Sequence, residues 1–231
     1  MIIFLDIEHP KALGDQKYRD ARVQTMDQRR RLFEELSGEA CHVRHYSEFH
    51  REDVAAPDVS AVLTSGNRSL WEKYDLERDF AEFAAVIRET QKPVLGICGG
   101  HQLIGMLMGG KAEPLRPLAP GEPDPNPSYA PGILKEWGFS NVNCAPDPLF
   151  AGFGGKAVVN QMHFWHLTQL PDSLTAIASN HNCPVQALRH RARPVYGVQF
   201  HPEFYDAQHM DGRRLLQNFF SLGGKSRRES T

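Results

Sequence analysis

The chain has 231 residues, 41% of them hydrophobic and 23% charged, so it is long enough to bury a full core in one α/β domain. Its 26 basic and 28 acidic residues leave a formal net charge of −2, which argues against nucleic acid or an anionic membrane as a partner. No run approaches the roughly 18 apolar residues of a membrane span, and the four cysteines are scattered, as is typical of reduced thiols. We therefore expect a cytoplasmic protein that acts on a small molecule.

The first half of the chain alternates short apolar runs with helical patterns, which predicts a parallel sheet with crossover helices. The predicted strands are Ile2–Leu5, Cys41–Tyr46, Val59–Thr64 and Pro93–Ile97. Two helices are predicted from apolar residues at helical spacing, one marked by Leu76, Phe80, Phe83 and Ile87 and the other by Leu103, Ile104, Leu107 and Met108.

The second half contains shorter apolar runs and ends in one more helical pattern. The predicted strands are Ala157–Asn160, Leu174–Ser179, Val185–Leu188 and Val195–Phe200. The last helix carries Leu215, Leu216, Phe219 and Phe220. We predict a single domain over residues 1–222 and a disordered tail over residues 223–231.

Two segments are predicted to be insertions. Residues 8–24 are polar, and residues 114–132 contain seven prolines, which exclude regular structure. Each segment is either a plain surface loop or the rim of a pocket, because loops at the carboxyl ends of parallel strands often border a site.

The stretch Pro93–Gln102 (PVLGICGGHQ) places a cysteine where a strand turns into a helix. Gly96 and Gly100 flank Cys98 two residues away on each side, which is the sulfur counterpart of the G-x-S-x-G nucleophile elbow. A thiol at the amino terminus of a helix is also stabilised as thiolate. The alternative is an inert, buried cysteine beside a glycine-rich turn.

A second stretch, Val195–Glu203 (VYGVQFHPE), is an apolar strand that ends in His-Pro-Glu. On an extended chain, residues two apart point to the same side, so His201 and Glu203 are expected to share a face. A carboxylate beside an imidazole fixes its tautomer and stabilises the imidazolium that forms when it takes a thiol proton. The alternative is a strand-end histidine with a solvent-exposed glutamate.

Together, GICGGHQ and YGVQFHPE resemble the signature segments of the class I, triad-type glutamine amidotransferases. The resemblance covers roughly residues 40–221. It implies a doubly wound α/β fold, a flavodoxin-like three-layer sandwich whose mostly parallel sheet is flanked by helices. It also implies hydrolysis of the glutamine side-chain amide through a γ-glutamyl thioester on Cys98, with His201 and Glu203 as its catalytic partners.

The same resemblance implies the substrate-binding residues. The backbone amide of Gly99 and an amide of the Ser65–Asn67 loop, at Gly66 or Asn67, would form the oxyanion hole. Gln102 would help to hold the substrate, and His166 and Leu167 would receive its amino acid end through backbone groups. His163 and His166 lack cysteine or carboxylate partners for a metal, and no P-loop or dinucleotide motif occurs, so we predict neither metal nor cofactor.

Two departures from the family pattern leave the substrate open. Gly99 stands where these enzymes usually have a larger side chain, which predicts extra volume beside the thioester, and the oxyanion loop reads Ser-Gly-Asn-Arg instead of Gly-Gly-Pro. Three functions are therefore compared: a glutaminase that supplies ammonia to a partner synthase, a stand-alone hydrolase of γ-glutamyl amides, and a non-catalytic module on the same fold.

Overall fold

A computed structural model describes residues 1–224 of the chain. The strands are β1 (Ile2–Asp6), β2 (Cys41–His45), β3 (Ala61–Thr64), β4 (Val94–Ile97), β5 (Lys111–Pro114), β6 (Glu136–Cys144), β7 (Lys156–His163), β8 (Trp165–Gln169), β9 (Leu174–Ser179), β10 (Ala187–His190) and β11 (Val195–Val198). The α-helices are α1 (Gln16–Ser37), α2 (Arg51–Ala55), α3 (Leu76–Asp79), α4 (Ala81–Glu89), α5 (Gly99–Leu107) and α6 (Asp211–Gly224).

One nine-stranded sheet organises the fold, in the order β2-β1-β3-β4-β11-β10-β9-β6-β7. The five strands from β2 to β11 run parallel, and the remaining four continue the sheet antiparallel. Strands β5 and β8 form a separate two-stranded antiparallel sheet. The carboxyl ends of β1, β3, β4 and β11 therefore meet at one edge, where loops can build a site.

Helices cover both faces of this sheet, because successive strand residues point to opposite sides. Ile2 and Phe4 of β1 pack in one apolar layer with residues of α1 and α6. Ile3 and Leu5 pack in the other layer with residues of α2, α4 and α5. The predicted three-layer α/β architecture is confirmed.

Sequence patterns located most strands but missed three of them. No strand was predicted at β5, β6 or β8, although β6 is nine residues long and pairs with β7 through eight of them. Its buried positions are Glu136, Val142 and Cys144. Because one of them is charged, the sequence does not show the alternation of apolar and polar residues that predicts a strand. The last helix reaches Gly224, past the predicted start of the tail at residue 223, and residues 225–231 of that tail lie outside the described residues.

The surface-loop interpretation of the insertion at residues 8–24 is wrong from residue 16 onward, because α1 begins at Gln16. Only Met26 and Phe33 are buried in this 22-residue helix, so its apolar periodicity is weak. Local polar contacts stabilise it instead: the Asp15 side chain caps the first turn by accepting from the Tyr18 amide at 2.7 Å.

The proline-rich segment forms turns and one isolated bridge between Pro117 and Ile133. Between the end of β5 at Pro114 and the start of β6 at Glu136, the chain has no helix or strand. Lys135 fastens it to the sheet. The Lys135 ammonium is fully buried and donates to the carbonyls of Ala130 (2.8 Å) and Ile133 (2.9 Å), and it also pairs with the Asp124 carboxylate (2.8 Å). Within residues 1–224, no helix has the length and apolar character needed to cross a membrane.

We expect Lys135→Met to release the proline-rich segment, because the substitution leaves two carbonyls and a carboxylate without their shared donor. Limited proteolysis should cut residues 115–134 at least about tenfold faster, while the rest of the fold stays resistant. Lys156→Met, at an exposed position of β7, is the matched control. Equal cleavage rates in both variants would contradict this role for Lys135.

Candidate active site

Cys98 lies at a strained turn between β4 and α5. Its backbone has φ +52° and ψ −105°, a conformation that residues other than glycine rarely adopt. The turn is tight enough to need both flanking glycines: a Cβ on Gly96 would lie 2.4 Å from the Gly100 carbonyl oxygen, and one on Gly100 would lie 1.7 Å from Thr64 Oγ1. This is the geometry of a nucleophile elbow.

His201 and Glu203 contact each other, but not on an extended strand as predicted. Strand β11 ends at Val198, and residues 201–204 form a turn in which the Phe204 amide donates to the His201 carbonyl at 3.1 Å. The backbone of His201 is fixed by its amide, which donates to the Asn160 carbonyl of β7 at 2.8 Å. In this turn, His201 Nδ1 lies 2.8 Å from Glu203 Oε1.

The electrostatics of this pair favour a charged imidazole. Burial lowers the pKa of His201, but the attraction of Glu203 and Cys98 and a hydrogen bond to each of them outweigh burial and raise the pKa to about 10. Burial raises the pKa of Glu203, yet His201 and the nearby Arg29 hold it below its usual value. Cys98, His201 and Glu203 are therefore brought together as a connected acid–base chain.

Gly66 packs directly against this chain. A Cβ on Gly66 would lie 3.3 Å from Cys98 Cβ and 3.4 Å from His201 Cε1, so a side chain there would crowd both groups. The next residue, Asn67, lies beside Gly99, because its amide nitrogen is 3.0 Å from the place that a Cβ on Gly99 would occupy. The Asn67 amide nitrogen thus lies beside the Cα of Gly99, the residue that follows the nucleophile.

The expectation that Gly99 leaves extra volume is wrong. A Cβ on Gly99 would lie 1.9 Å from Asn67 Oδ1, so the Asn67 side chain occupies that space. Asn67 is held there because its Nδ2 donates to the Ser69 carbonyl at 2.7 Å and to Tyr74 Oη at 3.3 Å. Glycine at position 99 accommodates asparagine at position 67.

Gln102 sits in a chain of amide contacts that reaches the thiol. Its Nε2 donates to the Trp165 carbonyl at 3.0 Å and to Gln199 Oε1 at 3.1 Å, and its Oε1 accepts from Trp71 Nε1 at 2.8 Å. Gln199 Nε2 in turn lies 3.8 Å from Cys98 Sγ. Both Gln102 donors are engaged within the protein.

Two cavities meet at Cys98. The larger has a volume of about 390 Å³, and its lining includes His201, Glu203, Tyr129, Trp137 and Phe204. The smaller, about 30 Å³, is lined by Gly99, Gln102, Phe164 and Trp165 among others. His201 faces only the larger of the two, so the thiol has an acid–base side and an amide-lined side.

His166 and Leu167 are not among the residues that line either cavity. They belong to β8 and pair with Glu113 and Ala112 of β5, and the Leu167 side chain packs on α5 at Gly105. Their predicted role as backbone contacts for the substrate stays a prediction.

His163 belongs to a buried polar cluster next to the small cavity. Its Nδ1 faces the Trp165 carbonyl at 2.9 Å and its Nε2 faces a Glu136 carboxylate oxygen at 3.0 Å. Burial raises the pKa of Glu136, but His163, Asn180 and Asn182 hold it below its usual value, so both partners of the ring are acceptors. Both ring nitrogens of His163 therefore face acceptors within the protein, and in the described residues no three His, Cys, Asp or Glu side chains are grouped to hold a metal.

Sequence reasoning missed the contribution of α1. Tyr18 and Arg22 line the large cavity from the predicted insertion at residues 8–24, and Arg29 lines it from the same helix, beyond that segment. Of the two interpretations of this segment, only the one that it borders a pocket agrees with the positions of these residues. Tyr129 lines both cavities from the proline-rich segment, and its ring packs edge-on against Phe164 with centroids 5.1 Å apart.

The fold and the site define a cysteine-dependent amidohydrolase of the α/β class. The family model described as "Glutamine amidotransferase class-I" matches residues 25–222. The chain belongs to this family.

Curated relatives agree with the family assignment. The chain is 33% identical over 174 residues to a subunit of the glutamine-hydrolyzing GMP synthase of Pyrococcus abyssi, covering 75% of this chain and 81% of that protein. It is 29% identical over 181 residues to the glutamine-hydrolyzing GMP synthase of Bacillus licheniformis, covering 75% of this chain and 31% of that longer protein.

A solved structure agrees with the fold. It is described as a GMP synthase subunit from Thermoplasma acidophilum, and it superposes with a TM-score of 0.71 at 21% sequence identity, covering 98% of this chain and 96% of that one. At this identity the likeness shows the fold alone.

We expect Gly99→Ala to destabilise the protein by about 1–3 kcal/mol, the usual cost of forcing a methyl group into a filled space. Combining it with Asn67→Ser should recover more than half of that loss, because the shorter side chain vacates the space beside residue 99. Urea unfolding of the wild type, both single variants and the double variant measures this coupling. Strictly additive free energies would show that Asn67 does not fill the space beside Gly99.

Proposed function

We propose that the protein hydrolyses the side-chain amide of glutamine through a γ-glutamyl thioester on Cys98 and delivers the ammonia to a partner synthase. One observation carries the proposal: a thiol on a strained elbow lines the same cavity as an imidazole, and Nδ1 of that imidazole lies 2.8 Å from a buried carboxylate. This arrangement supplies a nucleophile, a proton carrier and its orienting group.

The reaction needs two proton transfers. The Cys98 thiolate attacks the amide carbon, and the backbone amide of Gly99 and an amide of the Ser65–Asn67 loop donate to the oxyanion. The His201 imidazolium gives its proton to the departing nitrogen, the carbon–nitrogen bond breaks, and ammonia and the thioester form. His201 then takes a proton from water, whose oxygen attacks the thioester. The carbon–sulfur bond breaks, glutamate leaves as the carboxylate with the second water proton passing to solvent, and the Cys98 thiolate and the His201 imidazolium are restored.

The two cavities give the substrate an orientation. The leaving nitrogen takes its proton from His201, so it lies on the side of the large cavity, which His201 and Glu203 line. The glutamyl portion then lies toward the small cavity, where Gly99 and Gln102 are found. We propose that this small cavity widens when the substrate displaces side chains such as Trp165, since about 30 Å³ holds little more than one water molecule.

Two relatives support a synthase as the consumer of ammonia. The Pyrococcus abyssi protein is one subunit of a glutamine-hydrolyzing GMP synthase, and the Bacillus licheniformis protein is a single, longer chain with this activity in its name. We propose that ammonia leaves through the large cavity toward such a partner.

We expect Cys98→Ala to lower glutamate release from glutamine by at least about 10³-fold, because the thioester cannot form. Cys144→Ala is the matched control, since burial raises the pKa of the Cys144 thiol to about 12 and leaves it unreactive. Activity should rise when the companion subunit of a GMP synthase is added. Glutaminase activity that survives in Cys98→Ala would refute the proposal.

A second candidate is a stand-alone hydrolase of N-substituted γ-glutamyl amides. The observation that favours it is the volume of the large cavity, about 390 Å³ with Tyr129, Trp137 and Phe204 in its lining, whereas ammonia needs about as much space as one water molecule, roughly 30 Å³. In the same assay without a partner, a kcat/KM for a γ-glutamyl anilide that is at least about tenfold higher than the kcat/KM for glutamine would favour this candidate.

We expect Glu203→Gln to move the alkaline limit of kcat/KM to lower pH. The Glu203 carboxylate helps to raise the pKa of His201 to about 10, so removing its charge lets the imidazolium lose its proton at lower pH. The alkaline pKa of the kcat/KM profile should fall by at least about one pH unit in this variant. Glu89→Gln, at an exposed position, is the control and should leave that pKa unchanged. An unchanged alkaline limit in Glu203→Gln would contradict this coupling.

A further inference from the structure

Tyr129 of the proline-rich segment lies where the two cavities meet. Among the described residues, it is the only aromatic residue that lines both cavities, as Cys98 does. Its ring packs edge-on against Phe164 of the small cavity, with centroids 5.1 Å apart, and lies 6.1 Å from the Trp137 ring of the large cavity. A group on the amide nitrogen that is directed into the large cavity therefore begins beside the Tyr129 ring.

The backbone next to Tyr129 is strained and held in place. Ala130 has φ +49°, in the left-handed region that residues other than glycine rarely adopt. Its carbonyl accepts from the buried Lys135 ammonium at 2.8 Å, and Asp124, which pairs with the same ammonium, accepts from the Asn126 amide at 3.0 Å. The Tyr129 amide donates to the Asn126 carbonyl at 3.1 Å. Such strain persists only where the surroundings over-determine it, so the segment presents the Tyr129 ring in a fixed position.

The surface of the large cavity beside Tyr129 is aromatic. Trp137 is 40% exposed although it is a large apolar side chain, and Phe204 lines the same cavity. Exposed apolar surface in a cleft is typical of a ligand site, because a ligand that covers this surface removes it from water. Aromatic rings pack well against other rings, either edge-on or offset, so an aryl group suits this surface.

The arginines of the large cavity do not offer a competing site for an anionic group. Arg22 and Arg29 each pair with a carboxylate of the protein. Arg68 is exposed to solvent, and its guanidinium lies over the Tyr18 ring, 5.5 Å from the centroid. Two of these cations are thus paired and the third is solvated, so the aromatic surface is what remains for a substrate group.

We infer that Tyr129 is a specificity-determining residue that packs against an aryl group on the amide nitrogen, so that γ-glutamyl amides of aromatic amines are substrates. The inference rests on the proposed thioester reaction and, of the two candidate substrates, concerns the N-substituted amides. The bonds that form and break stay the same: Cys98 attacks the amide carbon, the carbon–nitrogen bond breaks, and the arylamine leaves with the His201 proton in place of ammonia. Glutamine has no substituent on this nitrogen, so its hydrolysis should not depend on the Tyr129 ring.

The test compares three substrates within one variant: a γ-glutamyl anilide, γ-glutamyl methylamide and glutamine. We expect Tyr129→Ala to lower kcat/KM for the anilide at least about tenfold, while kcat/KM for the methylamide and for glutamine changes less than about threefold. A ratio of two substrates does not depend on the fraction of folded enzyme. A merely structural loss would therefore lower all three values together.

Tyr129→Phe is the matched control, because it keeps the ring. The Tyr129 phenol takes part in none of the hydrogen bonds of the described residues, so this variant should keep the wild-type ratio of anilide to glutamine. If Tyr129→Ala does not fold, Tyr129→Leu, which keeps apolar volume without a ring, should lower the same ratio at least about threefold. A ratio that is unchanged in these variants, or that falls as far in Tyr129→Phe, would overturn the inference.

The outcome for Tyr129 is distinguishable from the outcome for the proposed function. Wild-type protein that releases glutamate from none of the three amides would refute the thioester reaction itself. Wild-type protein that hydrolyses glutamine but not the anilide would refute only the aromatic substrate class and the role of Tyr129.

Discussion

The whole site depends on one backbone constraint, the left-handed turn at Cys98. The elbow closes only because the main chain at Gly96 and Gly100 comes closer than any Cβ allows, and because Thr64 of the neighbouring strand packs against Gly100. Such strain persists only where surrounding structure over-determines it. Here the surroundings are the central strands β3, β4 and β11, and the Cys98 amide itself donates to the Val198 carbonyl at 2.8 Å. The most buried part of the sheet therefore fixes the direction of the thiol.

The partners of the thiol come from chain segments that are distant in sequence but meet at the same sheet edge. His201 follows β11, the Ser65–Asn67 loop follows β3, and Asp6 ends β1, which lies beside β3. Helix α1 then connects them, since Arg22 contacts the β1 and β3 ends and Arg29 lies 3.8 Å from the Glu203 carboxylate. A parallel sheet brings these segments together without long connecting loops, because the carboxyl ends of its strands share one edge.

The sequence predicted the centre of this site better than its surroundings. The elbow glycines and the order His-Pro-Glu follow from steric and acid–base requirements that hold whatever the tertiary context, so Cys98, His201 and Glu203 could be named in advance. Helix α1 was not predicted from the sequence, because tertiary and capping contacts, and not an apolar face, stabilise most of it. The filling of the space beside Gly99 by Asn67 could not be foreseen, because it depends on a loop side chain whose direction is set by Ser69 and Tyr74.

The charge on Glu203 explains why the acid–base chain tolerates deep burial. One carboxylate oxygen contacts His201, and the other has no hydrogen-bond partner among the described residues, an arrangement that is costly for an isolated anion. The Arg29 guanidinium, stacked 3.9 Å from the centre of the Phe204 ring, adds a positive charge 3.8 Å from the Glu203 carboxylate and donates to the Glu203 backbone carbonyl at 3.5 Å. A carboxylate whose remaining oxygen is unbound keeps its full negative charge directed at the imidazole. In the proposed reaction, His201 therefore holds the proton until the leaving nitrogen takes it.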